Sequence, residues 1–290
     1  QIEEVSVGRL DGIRNLKEEI ELSIIVIAYD MEREVARTLK SLTREYQKSI
    51  EDFNYEVVFV DNGSSKPFPR DFVEDMGDYF HYHYLEDASV SPAKAINYGV
   101  EKSSGEWVCI MIDGARLVTP GVLYWARRAF ALHESSVICV LGFHLGPEHQ
   151  RESLKKGYSK KLEDELLSTI DWFNNGYRLF EISCLAGSSS DGWFGPIAES
   201  NCIFLKRALF ERLGGYDEDF QSPGGGLVNL DFYKRACQAE DVEVVYLVGE
   251  GCFHQFHGGV STAGGERIYS FEELEKEYIQ LRGEKYSKPS

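Results

Sequence analysis

The stretch LSIIVIAYDMEREVARTLKSL (residues 22–42) decides the fold class. Its opening apolar run is typical of a strand that is buried on both faces of a sheet. Apolar residues at helical spacing then predict a helix over 31–47, and a second apolar strand, EVVFV, follows at 56–60. Strand, helix and strand at this spacing predict a βαβ unit with parallel strands and a right-handed crossover.

The same alternation continues along the chain. A predicted helix over 92–103 precedes the strand EWVCIMI (106–112), and a predicted helix over 121–132 precedes the strand VICVLGF (137–143). The segment from 145 to 200 is less regular. We therefore predict an α/β fold with a mainly parallel central sheet flanked by helices.

Charge and composition limit the class of partner. The 290 residues carry a formal net charge of −17 at pH 7, so nucleic acid is not an expected partner. The six cysteines are scattered without a CxxC pair, which favours reduced thiols and a cytoplasmic location. No signal peptide is visible and no apolar segment is long enough to span a bilayer, although peripheral contact with the inner face of the membrane stays open.

Three of the predicted strands end in an acid. Asp30 follows the first strand, Asp61 the second, and Asp113 the strand CIMI. Ligands of open parallel sheets bind at the edge that these carboxyl ends share. One Asp there is commonly a turn residue, but three carboxylates on one rim repel one another unless a ligand or a cation offsets them. The pattern predicts a ligand site at this edge.

Common phosphate-binding motifs are absent from the chain. After the first strand stands AYDMERE instead of the GxGxxG that would bring a helix N-terminus to a dinucleotide. The P-loop pattern GxxxxGK[ST] does not occur either. AYDMERE also lacks the glycine-rich basic loop of a nucleotidyltransferase, which speaks against that class of enzyme.

Four stretches together resemble the family-two glycosyltransferases of the GT-A fold: LSIIVIAYDMEREVARTLKSL, VVFVDNGSS, SPAKAINYGVEKSSGEWVCIMIDGARLVTPGVL and NCIFLKRALFERLGGYDEDF. The resemblance covers about residues 20–260 and rests on order and spacing. It implies a hexosyltransferase that moves a sugar from a nucleotide-sugar donor, expected to be a UDP-sugar, to a hydroxyl group. The acceptor would be a glycan, a lipid-linked molecule or a small molecule, in glycan or polysaccharide synthesis.

The resemblance also implies a division of the chain. Residues 1–20 would be an N-terminal extension, 21–268 the GT-A domain, and 269–290 a C-terminal helix and tail. Within the domain, 21–143 would be the nucleotide-binding half and 144–268 the acceptor half.

The same resemblance assigns roles at the predicted edge. In the family, the acid after the second strand, here Asp61, reads the nucleotide base. The residues that match Ala28, Tyr29 and Asp30 line the pocket for base and ribose. An Asp-x-Asp motif farther along holds ribose and a divalent cation, Mn²⁺ or Mg²⁺, on the diphosphate, where carboxylate oxygens suit such ions.

The Asp-x-Asp motif is altered in this chain. Asp113 keeps the first acid, but Ala115 replaces the second, which puts the cation in doubt. Arg116 follows, and two interpretations stay open: it supplies part of the missing positive charge, or it points to solvent. Lys94 is a further candidate for steadying the diphosphate.

A late loop, GCFHQFHGGVST, resembles a histidine-containing loop of the family. His257, and after it His254, are therefore expected to contact metal or phosphate. The glycine-rich residues 258–265 have the composition of a lid. For the acceptor, sugars stack on aromatic rings, and the candidates are Trp172, Phe173, Tyr177, Trp193 and Phe194. Trp193, which glycines and Asp191 flank, is the first of them.

The expected general base is altered as well. Inverting members of the family carry a Glu-Asp pair before a late helix, but Val228 and Asn229 stand there, and neither accepts a proton at neutral pH. Glu199, Asp231 and Asp191 are the remaining catalytic candidates, with inversion favoured over retention. GGGLVNLD also resembles a stretch of the retaining polypeptide GalNAc-transferases. A retaining transferase and a non-catalytic nucleotide-sugar binding module stay as alternatives.

Overall fold

The computed structural model describes residues 19–258 and 269–289. Within these residues, nine strands form one mixed sheet. The strands are β1 (Leu22–Ala28), β2 (Tyr55–Asp61), β3 (Phe80–Tyr84), β4 (Trp107–Met111), β5 (Arg116–Val118), β6 (Ser136–Leu145), β7 (Ser183–Leu185), β8 (Ile203–Lys206) and β9 (Glu243–His254). The helices are α1 (Glu32–Lys40), α2 (Arg70–Glu74), α3 (Ala93–Glu101), α4 (Val122–Phe130), α5 (Gln150–Lys155), α6 (Lys160–Ser168), α7 (Arg207–Arg212), α8 (Val228–Cys237) and α9 (Phe271–Arg282). Residues 1–18 of the predicted extension and 259–265 of the predicted lid lie outside the described residues.

The strand order is β3-β2-β1-β4-β8-β6-β9-β5, with β7 paired to β6. β1 to β4 are mutually parallel, and β6 and β9 run in the same direction as they do. β5, β7 and β8 run the opposite way. The predicted α/β fold with a mainly parallel sheet flanked by helices is therefore confirmed.

Two apolar clusters cover the two faces of the sheet. Alternate residues of β1 point to opposite faces, so Ile25 packs with residues of α3 and α8, whereas Ile24 packs with residues of α1 and α4. Both side chains are completely buried. Each such burial stabilises the fold by roughly 1.5–3 kcal/mol relative to an exposed side chain.

Helix α1 is shorter than the sequence predicts, because it ends at Lys40 and not near residue 47. The Ser41 hydroxyl donates to the Thr38 carbonyl at 2.7 Å, and Gln47 Nε2 donates to the Ser41 carbonyl at 2.8 Å. These side-chain bonds compete with helical bonds and favour turns over 41–47. β3 was not predicted, and the apolar stretch EVVYLV (243–248), whose pattern predicts a strand, is only the first half of β9.

Register brings several loops to one edge of the sheet. Ala28 at the end of β1 lies opposite Asp61 at the end of β2, and β4 ends beside them. Thr38 of α1 ties the turn after β4 in place, because its Oγ1 donates to the Gly114 carbonyl at 2.7 Å and accepts from the Arg116 amide at 3.0 Å. In the described part of the chain, no helix has the length and apolar character needed to span a membrane.

Candidate active site

A cavity of about 250 Å³ opens between the loops that follow β1 and β2. Ala28, Asp30 and Asp61 line it, and Lys66 lies on the same wall. The structure therefore brings together three of the residues predicted for base and ribose. The fourth, Tyr29, has 54% of its surface exposed next to Asp30.

Asp61 organises the wall of this cavity from within. Its side chain is fully buried, Oδ1 accepts from the Ser64 amide at 2.9 Å, and Oδ2 accepts from the Phe68 amide at 2.9 Å. The Asp61 carboxylate thus fixes the conformation of the loop over 62–68 by accepting hydrogen bonds from its backbone, as short acidic side chains do in turns.

Asp30 links this loop to the loop after β1. Its Oδ1 accepts from the Ser65 amide at 2.9 Å and from the Ser65 hydroxyl at 2.8 Å, and its own amide donates to Ser64 Oγ at 2.9 Å. Asp30 has a φ of +51°, a left-handed conformation that Asp tolerates better than most residues. The cross-links hold open a cavity between two loops.

Asp113 and Arg116 form a largely buried ion pair in the turn that packs against Ala28 and Val35 of the cavity wall. Arg116 Nε and Nη2 approach Asp113 Oδ2 at 2.8 Å and 2.7 Å, and the Ala115 amide donates to Oδ1 at 3.0 Å. Arg116 is only 8% exposed, so the interpretation that it points to solvent is wrong. Burial alone would raise the pKa of Asp113, but the Arg116 charge outweighs it and holds that pKa below its usual value.

Neutral imidazoles surround this ion pair. β5 pairs with β9 so that Arg116 lies opposite His254, whose ring centroid is 5.1 Å from that of His257 and 5.7 Å from that of His144. Burial, and then the Arg116 charge, lower the pKa of His254 well below its usual value and that of His144 to about 4. Burial also lowers the pKa of His257, although the Asp113 charge opposes this effect.

These side chains do not present a preformed site for the expected Mn²⁺ or Mg²⁺. Both Asp113 oxygens are engaged, one by Arg116 and one by the Ala115 amide, and Ala115 supplies no side-chain oxygen. His254 Nδ1 lies 3.0 Å from Gln150 Oε1. Across residues 19–258 and 269–289, no group of three or more His, Cys, Asp or Glu residues is placed to hold a metal ion.

Glu199 lies against the helix position where the sequence lacks an acid. Its Oε2 accepts from Asn229 Nδ2 at 2.7 Å, and Asn229 is the second residue of α8. The Tyr216 hydroxyl donates to Asn229 Oδ1 at 2.9 Å. A carboxylate from the loop before β8 thus lies within hydrogen-bond distance of the position where the resemblance to the family predicts a base.

The other two catalytic candidates are committed to different contacts. Asp231 is 1% exposed, and its oxygens accept from Arg235 at 2.8 Å and from Arg282 of α9 at 2.6 Å and 2.9 Å. Asp231 therefore anchors α9 on α8, which is a structural role. Asp191 lies at the surface, where Lys288 Nζ donates to it at 2.7 Å.

Lys94 lies at a second cavity, of about 410 Å³, and not among the lining residues of the first. Its Nζ donates to Asp87 Oδ2 at 2.6 Å and to the Asp87 carbonyl at 2.9 Å. Glu218 also lines this second cavity. The structure thus separates Lys94 from the predicted base pocket.

Among the aromatic residues considered for the acceptor, Phe194 and not Trp193 is the most exposed. Trp193, the residue favoured beforehand, packs against Phe143 and Phe180 with ring centroids 6.2 Å away in both cases. Phe194 follows it in a short 3₁₀ turn and is 94% exposed. Consecutive side chains of a 3₁₀ turn point in different directions, and the sequence alone does not reveal which of the two rings faces solvent.

Comparisons with known proteins match most of the chain to one family. The model of the family described as glycosyl transferase family 2 matches residues 23–212, more than half of the chain. Validoxylamine A glucosyltransferases of Streptomyces hygroscopicus subsp. jinggangensis (strain 5008) and of Streptomyces hygroscopicus subsp. limoneus are each 28% identical over 225 residues. The match covers 73% of this chain but 50% and 47% of those proteins, so the chain spans about half their length.

Solved structures share the fold at lower identity. S. aureus TarS 1–349 in complex with UDP-GlcNAc has a TM-score of 0.56 and 19% identity, covering 89% of this chain and 66% of that chain. The mannosyltransferase PcManGT from Pyrobaculum calidifontis, in complex with GDP-Man and Mn²⁺, has a TM-score of 0.50 and 19% identity, covering 93% and 66%.

Proposed function

Because the chain belongs to glycosyl transferase family 2 and has the GT-A fold, we propose that it transfers a sugar from a UDP-sugar to a hydroxyl acceptor with inversion. The observation that carries the proposal is the cavity at the carboxyl edge of the sheet, cross-linked by Asp30 and Asp61. UDP is chosen because a structure of the same fold binds UDP-GlcNAc. The division at residue 143 into donor and acceptor halves belongs to the same proposal.

The donor would place its base in the cavity and its diphosphate towards Asp113 and Arg116. The acceptor oxygen forms a bond to the anomeric carbon while the bond from that carbon to the β-phosphate oxygen breaks. The electron pair of the broken bond leaves with UDP, and the acceptor proton passes to the Glu199 carboxylate. Inversion follows, because the acceptor attacks opposite the leaving group.

Negative charge develops on the leaving diphosphate, and we assign Arg116 to offset it. The guanidinium is largely buried and Asp113 holds it in place, so the diphosphate would share this cation with Asp113. This assignment differs from the Mn²⁺ in the PcManGT complex. Turnover that persists under strong chelation supports it, whereas complete loss under EDTA that Mn²⁺ restores would refute it.

The acceptor would lie on the side of Glu199, with Phe194 as its stacking surface. Phe194 is 94% exposed on the same connection between β7 and β8 that carries Glu199. An aromatic ring on the surface gives a sugar an apolar face to pack on.

The six cysteines, all unpaired, support a cytoplasmic location.

A thermal-shift panel of nucleotides and nucleotide sugars, with and without Mn²⁺, tests donor choice directly. We expect UDP and UDP-sugars to raise the melting temperature most, and Asp30→Asn to weaken that shift. Asp71→Asn, an exposed change on α2, is the matched control. Equal shifts for all nucleotides would contradict the proposal.

Two outcomes would replace the proposal by its alternatives. Donor binding without turnover over any acceptor would indicate a nucleotide-sugar binding module, which the missing second acid at Ala115 favours. A product anomer of unchanged configuration, measured by NMR, would indicate a retaining transferase. Either result keeps the family and changes the activity.

A further inference from the structure

We propose that Asn229 is a positioning residue that fixes the Glu199 carboxylate for proton transfer. The inference rests on the proposed function, because it takes Glu199 as the group that receives the acceptor proton. Its basis is the chain of contacts from Tyr216 through Asn229 to Glu199, at 2.9 Å and 2.7 Å.

The direction of the Asn229 amide is determined by its neighbours. A carboxylate only accepts hydrogen bonds, so the NH₂ group of the amide must face Glu199. The same Nδ2 donates to Asn201 Oδ1 at 3.1 Å, while Oδ1 accepts from the Tyr216 hydroxyl. Asn229 is 7% exposed and Tyr216 is 1% exposed, so packing restricts both side chains.

The hydrogen bond from Asn229 engages one oxygen of the Glu199 carboxylate and leaves the other available. Asn229 binds Oε2, and Oε1 has no hydrogen-bond partner among the described residues. A base needs this arrangement, in which one oxygen is held and one is ready to accept a proton. Because Asn229 carries no charge, it orients Glu199 through a hydrogen bond and not through an ion pair.

A second contact holds the backbone beside Glu199. The Tyr286 hydroxyl donates to the Ala198 carbonyl at 2.9 Å, and the Ala198 amide donates to the Ser188 carbonyl at 2.8 Å. Asn229 therefore acts on a side chain whose backbone is already held at the preceding residue, Ala198. Its role is restricted to the side chain of Glu199.

The experiment compares pH profiles of kcat/KM for wild type, Glu199→Gln, Asn229→Asp and Asn229→Ala. Glu199→Gln should lower kcat by about 100-fold or more, the range expected for loss of a general base. In Asn229→Asp a second carboxylate disfavours ionisation of Glu199, so the acid limb of the profile should move to higher pH. Asn229→Ala should lower kcat about tenfold with little change in donor binding, since misplacing a reacting group slows the chemical step.

Asn174→Asp is the matched control, because Asn174 donates to Asp171 at 2.8 Å in an exposed amide–carboxylate pair. It should leave the profile unchanged. If Glu199→Gln is inactive but Asn229→Asp keeps the wild-type acid limb, the positioning role is refuted while the base stands. Full activity of Glu199→Gln refutes the base and this inference, and a wild type that turns over no nucleotide sugar refutes the proposed function itself.

Discussion

Replacing Glu56 by Gln should destabilise the sheet without touching the site. Glu56 is 6% exposed at the amino end of β2, away from the cavity edge. Its Oε1 accepts from the Ser23 hydroxyl at 2.7 Å and from the Ser104 amide at 2.7 Å, and its Oε2 lies 3.3 Å from His81 Nε2. One carboxylate thus joins β1, β2, β3 and the loop before β4.

The pKa of Glu56 sets the size of the effect. Burial raises this pKa, but the bonds from His81, Ser104 and Ser23 outweigh burial and lower it from 4.5 to about 2. At 1.36 kcal/mol for each pKa unit, the ionised carboxylate contributes about 3 kcal/mol to stability. Because the pKa is lowered, this contribution is present above pH 4.5 and is lost as the pH falls through about 2.

His81, the partner of Glu56, adds an upper limit to the pH range in which their contact stabilises the fold. The hydrogen bond to Glu56 raises the pKa of His81, so stability from the charged imidazole is present below 6.5 and is lost as the pH rises through the raised value. Urea denaturation of wild type and Glu56→Gln should therefore differ by about 3 kcal/mol at pH 6 and by about half of that at pH 3.

Glu51→Gln, a change at an exposed turn residue, is the control and should alter stability by less than about 0.5 kcal/mol. A loss below about 1 kcal/mol for Glu56→Gln at pH 6, or an equal loss at pH 3, would refute the reasoning. Binding of UDP should be the same in both variants.

Three further outcomes are expected. Gly114→Ala should cost roughly 1–3 kcal/mol in urea denaturation, because the added Cβ would lie 2.7 Å from Val35 Cγ2; a neutral effect would show that α1 can move aside. Arg282→Met should cost about 3 kcal/mol, since it leaves the buried Asp231 with one cationic partner fewer, and an unchanged urea midpoint would contradict that anchor. Phe194→Ala should raise the acceptor KM roughly three- to tenfold with unchanged donor affinity. A change in donor affinity alone would contradict a role of this residue in acceptor binding.

Local pattern was enough to predict β1, β2, β4 and β6, but not β3 or β5. The apolar runs of β1, β2 and β4 specify buried parallel strands, and parallel strands bring their carboxyl ends to one edge. That is why the sequence predicts Asp30, Asp61 and Asp113 near one another.

Pairings between distant segments were not predictable in this way. Arg116 is buried because β5 pairs with β9, which lies more than a hundred residues farther along the chain. Glu199 meets Asn229 across 30 residues that include β8, α7 and irregular turns, and the pattern of these elements does not reveal that contact. The pattern of a short stretch carries no information about which distant strand or loop will cover it.

The Tyr286 contact with the Ala198 carbonyl has a consequence for the order of synthesis. The residues that line the first cavity end at Phe68, whereas Tyr286, which holds the backbone before Glu199, is made more than two hundred residues later. On the proposed function, a chain shortened just before Tyr286 should keep the residues that line the cavity and turn over the donor more slowly.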